Sequence, residues 1–309
     1  MSTLDEAFLY PSLVYPINQI GSRMSGVVDR LNRPNPSVYQ VVMTQDQSSL
    51  LNSGLAPDNT DWPHEISMEA FRRTWRLEGS TVWETVFEMH QEKMQIKNVN
   101  VAIANLENIF TSTFKLTALK GFQSMSLRDL SRETGISMGG LYSYIGSKDE
   151  LASVIEDVLR YYVDKVLGSL AAHQLSPARH LQAIVYGETY MNEIMNPWFY
   201  FCYMELKGLP RDQQEKAMEL ELHFEAMLVE TIEKGVKEGV FRCEDPQMLV
   251  IHLVGVLQQW YLKRWKFKRK NIDANKFAES VFKGLLRNLD CQPETAVLHG
   301  EQLQEVRNF

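Results

Sequence analysis

Residues 126–150, SLRDLSRETGISMGGLYSYIGSKDE, decide the fold, because they hold three helix starts and one tight turn. Ser126 followed by Asp129 has the spacing of a capping box, in which the hydroxyl takes the third-residue amide and the carboxylate reaches back to the cap amide. A short helix is predicted to begin there. Leu127 and Leu130 lie three apart and share one face, and Gly135 supplies the positive φ that ends the helix in a turn over 133–136. Ser137 is predicted to cap a second helix over 137–145, with Leu141 and Ile145 facing inward. Ser147 with Glu150 repeats the capping box and opens a third helix at Lys148.

Two short helices joined by a glycine turn make a helix-turn-helix, whose second helix lies in the DNA major groove. The small residues at the start of that helix let backbone approach a duplex, and its Tyr and Ser hydroxyls reach phosphates or base edges. Lys148 is expected beside a phosphate, since its ammonium and the unpaired amides of the third helix both favour an anion. The predicted DNA contacts are Ser126, Arg128, Ser137, Met138, Gly139, Gly140, Tyr142, Ser143, Tyr144 and Lys148. The competing reading is an ordinary helical domain with these tyrosines in its core.

The same residues carry a resemblance. The run from Leu127 to Leu151, with IFTSTFKLTALKGFQSMS before it, resembles the DNA-binding domain of the TetR family of bacterial transcriptional regulators. Matching positions are Gly121, Phe122, Ser126, Gly135, Ile136, Ser137, Leu141, Tyr142, Tyr144, Ile145, Ser147, Lys148 and Leu151. The likeness is one of motif over 100–166 and of architecture alone from there to about residue 289. It implies an all-α, TetR-like protein: a three-helix reading head, then a helical domain that senses a small, often hydrophobic effector and forms a dimer. This chain departs from the family pattern in having about a hundred residues before the head.

Residues 135–139 also fit G-x-S-x-G, the nucleophile elbow of α/β-hydrolases. That chemistry needs a strand before the serine, whereas a capped helix is predicted here.

Bulk properties agree with a regulator rather than a nucleic-acid coat. The chain has 309 residues, 44% of them apolar, enough for two or three domains. Its formal net charge of −7 leaves operator affinity to dimerisation and specific contacts rather than to a polybasic surface. Cys202, Cys243 and Cys291 are widely spaced and lack a C-x-x-C, which suits a reducing cytoplasm and no metal site. No cofactor is expected. The first residues show neither a signal peptide nor a membrane span.

Four segments are expected: an extension over 1–97, the head over 98–147, the effector and dimerisation domain over 148–290, and a polar tail over 291–309. The extension reads as mixed or irregular, with a candidate strand at 38–42, and as helical from about residue 67, where Ser67 and Thr81 are predicted caps. It is either an appendage packed on the body or a docking and sensing element. In the latter case the protein is a ligand-independent anchor that recruits a partner.

The first helix of the head carries Ile103, Leu106, Phe110 and Phe114 on one face and ends at Gly121. The helix from Lys148 continues to about Leu170, long enough to act as a lever. In the TetR-like arrangement its tilt sets the separation of two heads reading half-sites about 34–36 Å apart. Residues 186–206 are rich in Met and aromatics, which suits either a cavity or a plain core. The predicted effector contacts are Tyr190, Phe201, Glu205, His223, Met227, Trp260 and Arg264. Helices over 247–270 and 273–289 resemble the pair that forms the dimer in the family. The basic run 263–270 reads either as a solvated helix end or as a seat for an anionic head, such as that of an acyl-coenzyme A. Together these features predict a homodimeric repressor, with operator DNA and a small hydrophobic effector as partners, a fatty acyl compound being one candidate.

Overall fold

In the computed structural model the described residues are 61–96 and 98–291, all within one compact unit, Thr60–Phe309. The expected strand at 38–42 and nearly all of the tail lie outside them. Every regular element among the described residues is helical. The strand that the hydrolase reading requires before Ser137 is therefore a helix.

Two helices precede the head. Ser67 caps α1 (Met68–Trp75) by accepting the Ala70 amide, as predicted. Helix α2 (Ser80–His90) corrects the expected cap at Thr81: the chain turns at Gly79, with φ 70°, so the helix has already begun when it reaches Thr81.

The head comprises α3 (Val99–Lys120), α4 (Leu127–Thr134) and α5 (Met138–Tyr142). Asn98 caps α3, and Gly121 at φ 78° ends it. Helix α6 (Lys148–Gly168) follows and runs into a 3-10 turn, Ser169–Ala172. The body is completed by α7 (Pro177–Ile194), α8 (Asn196–Glu205), α9 (Arg211–Lys237), α10 (Pro246–Leu262), α11 (Arg264–Arg269) and α12 (Ala274–Asn288). Pro197, Pro210 and Pro246 fall at helix starts, where a missing amide costs nothing.

Helix α7 is the axis of the body, packed by α9, α10 and α12. Leu181, Ile184, Tyr190 and Met191 are all fully buried along it, each such side chain contributing about 1.5–3 kcal/mol. Residues before the head belong to this same core. The Trp62 ring meets Phe71 edge-on at 5.1 Å and Tyr190 at 5.9 Å. A Cβ on Gly187 would come within 3.2 Å of the Trp62 ring, a tight contact that the glycine avoids where α7 approaches that ring. The hydroxyl of Tyr162 donates to Thr85 at 2.9 Å. The segment 61–96 is therefore packed on the body.

The single helix expected over 247–270 is broken at Lys263, whose φ of −127° leaves the helical region. The break turns Phe267 back onto Trp260 and Phe277, 5.0 Å from each. Burial of that aromatic trio outweighs continuation of one straight helix.

Candidate nucleic-acid interface and cavity

The reading head is built on caps. Ser126 and Asp129 form the complete capping box of α4, and Lys120 holds the Asp129 carboxylate at 2.6 Å, which keeps that carboxyl far below its ordinary range. Gly135 sits at φ 72° in the turn, where an L side chain would be strained. The Ser131 hydroxyl donates to the Ile136 carbonyl at 2.6 Å and fixes the turn from inside. Ser137 caps α5 through the Gly140 amide at 3.2 Å. Helix α5 is shorter than predicted, ending at Tyr142, with residues 143–145 in a following turn.

Seven of the residues predicted to contact DNA are at least partly open to solvent. Ser126, Arg128, Ser137 and Gly139 are exposed, Met138 and Ser143 half-buried, and Tyr142 keeps 52% of its surface accessible. Three others answer to the fold. Tyr144 is only 5% exposed and accepts a hydrogen bond from Asn105 at 2.7 Å. Gly140 is needed by the turn, because a Cβ there would lie 2.8 Å from the Ile136 side chain. The Lys148 ammonium, expected at a phosphate, instead donates to the carbonyls of Phe122, Gln123 and Met125 at 2.8, 2.9 and 3.1 Å. Those carbonyls close the turn between α3 and α4, and a cation is the natural donor to three of them at once. The predicted capping box at Ser147 is likewise half formed. The hydroxyl caps Glu150, but the Glu150 carboxylate accepts from the Gly146 amide at 2.6 Å, because the extended backbone at Ser147 presents that amide.

A cavity of about 120 Å³ lies in the body, bounded by α6, α7, α8, α9 and α10. Its walls are mainly aliphatic and aromatic, and Glu156, Glu188 and Glu221 enter it. Burial is the main influence on Glu188, with Glu221 adding repulsion, and its carboxyl is pushed up to about 7. Burial also raises Glu156, offset in part by Arg160. The Cys202 thiol and the Tyr261 hydroxyl are raised as well, burial being the first cause in both.

Comparison with known proteins matches two family descriptions to this chain: "Bacterial regulatory proteins, tetR family" over residues 109–155, and "Tetracyclin repressor-like, C-terminal domain" over residues 174–285. The chain belongs to the TetR family of transcriptional regulators. As a TetR-family member it is a DNA-binding regulator and not an enzyme. It is 24% identical over 179 residues to the HTH-type transcriptional regulator HbdR of Aromatoleum sp. (strain CIB), covering 58% of this chain and 76% of that protein. It is 25% identical over 154 residues to the HTH-type transcriptional repressor KstR2 of Rhodococcus jostii (strain RHA1), covering 48% of this chain and 74% of that protein. The TetR-family regulator PfmR from Thermus thermophilus has a similar fold, with TM-score 0.52 and 24% identity over 59% of this chain and 98% of that one.

None of the seven effector contacts predicted for this TetR-family chain lines the cavity. Tyr190 is fully buried and its hydroxyl donates to Asn275 at 2.5 Å. Phe201 faces the head, 4.9 Å from Phe122, and the Glu205 carboxylate accepts the Phe122 amide. Trp260 donates to Glu193, with which Arg264 forms an ion pair, so the basic run turns a guanidinium toward the protein. His223 is exposed and Met227 half-buried, both outside the lining. Of residues 186–206, Glu188, Phe199, Cys202, Tyr203 and Leu206 line the cavity, whereas Tyr190 and Phe201 do not. Among the described residues no helix is long and apolar enough to cross a membrane.

Proposed function

We propose that this regulator is a repressor which, as a homodimer, holds a palindromic operator through α5 and is released by a small, largely apolar effector in the cavity of the body. One observation carries the reading: α8 and the turn after it touch both sites. Cys202 and Tyr203 line the cavity, while Phe201, one residue away, packs on Phe122 at the base of the head. The Gln123 side chain donates to the Gly208 carbonyl at 2.5 Å and strengthens the same joint. Helix α6 provides the second link, with Leu159 and Val163 in the cavity wall and Lys148 at the head. An effector that displaces α8 or α6 changes head tilt, and a small rotation takes two heads out of register with half-sites one helical turn apart.

The head is taken as 98–147 and the effector and dimerisation domain as 148–290. Ser126, Arg128, Ser137, Met138, Gly139, Tyr142 and Ser143 form the operator face. Dimerisation is assigned to α10 and α12. Helix α10 presents Met248, Ile251 and Val256 at 46%, 49% and 46% exposure, and a groove of about 470 Å³ beside it is lined by Leu249, Ile272 and, from α12, Val281. A Cβ on Gly255 or Gly284 would meet nothing within 4 Å. A mid-helix glycine costs about 1 kcal/mol relative to alanine, and close packing of a partner helix accounts for two of them on this face.

The test is selection of an operator from random duplex DNA by full-length protein, followed by footprinting and titration with candidate apolar effectors. A symmetric footprint lost on effector addition is expected. An asymmetric single-site footprint, or one unaffected by any compound that binds the cavity, rejects the mechanism.

A further inference from the structure

The cavity has an unusual charge content. Three carboxylates reach it from three helices, Glu156 from α6, Glu188 from α7 and Glu221 from α9, and none of its lining residues is a lysine, arginine or histidine. Their internal partners satisfy them only in part. Glu156 is 3% exposed; its Oε1 accepts from Arg160 at 3.1 Å, while the buried Oε2 has no hydrogen-bond partner. Glu188 accepts from the Asn192 amide group at 2.7 Å, and Glu221, at the exposed rim, accepts from Gln258 at 2.8 Å. Beside them stand three aromatic rings of the lining, Phe199, Tyr203 and Tyr261, with Tyr261 centred 5.9 Å from each of the other two.

A carboxylate in apolar surroundings is costly unless it is paired or protonated. An incoming carboxylate or phosphate would bring further acceptors to a lining already supplied with acceptors and holding no cation, since the Arg160 guanidinium that pairs with Glu156 lies outside it. A ligand with a positively charged nitrogen would do the reverse, pairing with the acids and lying against aromatic faces, whose quadrupoles attract cations. We infer that the effector is a lipophilic cation, an organic ammonium whose apolar part fills the space between α6, α8 and α10 and whose charge meets Glu188 and Glu221. This rests on the cavity being the effector site, and it departs from the acyl compound that the sequence raises as one candidate. The anionic head in that expectation was to sit on residues 263–270, none of which lines the cavity.

Three probes with one skeleton separate the possibilities: 4-phenylbutylamine, 4-phenylbutan-1-ol and 4-phenylbutyrate, titrated calorimetrically into full-length protein at pH 8. The amine is expected to bind at least tenfold more tightly than the alcohol, with the butyrate weakest. Replacing both acids, Glu188→Gln with Glu221→Gln, is expected to abolish the amine's advantage while leaving the alcohol bound. Butyrate binding as tight as the amine, failure of the amine to bind, or an advantage that survives the double substitution overturns the charge assignment. Operator release is read separately. A charge-selective amine that leaves operator affinity unchanged refutes the effector-site reading alone, whereas release by the butyrate refutes the cation alone.

Discussion

The backbone amide of Gln95 donates to the carbonyl oxygen of Ser143 at 3.0 Å, tying the segment before the head to the residue that ends α5. The same segment is anchored in the body by Trp62, Phe71 and Val86, and its Trp83 ring meets both Phe110 of the head, at 6.1 Å, and Trp198 of α8, at 5.8 Å. Residues 61–96 thus brace head to body. A Phe71→Ala change opens a space at a fully buried site and should cost about 3–5 kcal/mol. Chemical denaturation followed by tryptophan fluorescence measures it, and a loss below about 1 kcal/mol would mean that this segment is a detachable appendage.

Lys148 and Tyr142 are expected to separate under mutation. Tyr142→Ala removes an exposed ring, so stability should move by less than about 0.5 kcal/mol while operator affinity drops about tenfold or more. Electrophoretic mobility shift and thermal melting, run on the same preparation, check the pair of outcomes.

Lys148→Ala removes the donor to three carbonyls. Charged hydrogen bonds of this kind contribute about 1.5–3 kcal/mol in total stability, so this variant should melt earlier as well as bind operator less well. A variant with weakened binding and an unchanged melting temperature would restore Lys148 to a phosphate.

Glu188 gives the protein a pH signature. Its folded pKa, pushed up to about 7, lies above the ordinary carboxyl value of 4.5, so the native state holds a proton that the unfolded chain has released. Stability from this group is therefore fully present below about pH 4.5 and is lost as pH rises through 7, by up to about 3 kcal/mol. Glu188→Gln, which cannot ionise, should melt above the parent at pH 8 and level with it at pH 5. Equal melting at both values would show the carboxyl to be unperturbed.

What was legible in the sequence was local. Ser126 with Asp129, Gly135 at positive φ and Ser137 as a cap are each specified within a few residues, and all three appear as read. Lys148 misled because its partners lie 23 to 26 residues earlier, where no spacing rule reaches. The cavity misled for a related reason. Five helices supply its wall, and which face of residues 186–206 meets it depends on how α8 docks against α6, α7 and α10. Tyr190 and Phe201 were aromatic enough to line a pocket, but both are spent on packing.

The face formed by α10 and α12 supplies the last prediction. Ile251 is 49% exposed on a helix whose other side is core, so its change to Asp removes little packing within the protomer. If the partner's α10 and α12 cover it, the substitution buries an unpaired carboxylate in an apolar interface, which costs several kcal/mol per site, doubled by symmetry. Sedimentation velocity should then show a monomer at concentrations where the parent is a dimer, with a folded circular dichroism spectrum. Operator affinity should fall more steeply than for Tyr142→Ala, because both heads lose their shared anchor rather than one contact each. A variant that stays dimeric would move the interface to another surface, and the spacing argument for release would have to be rebuilt from that geometry.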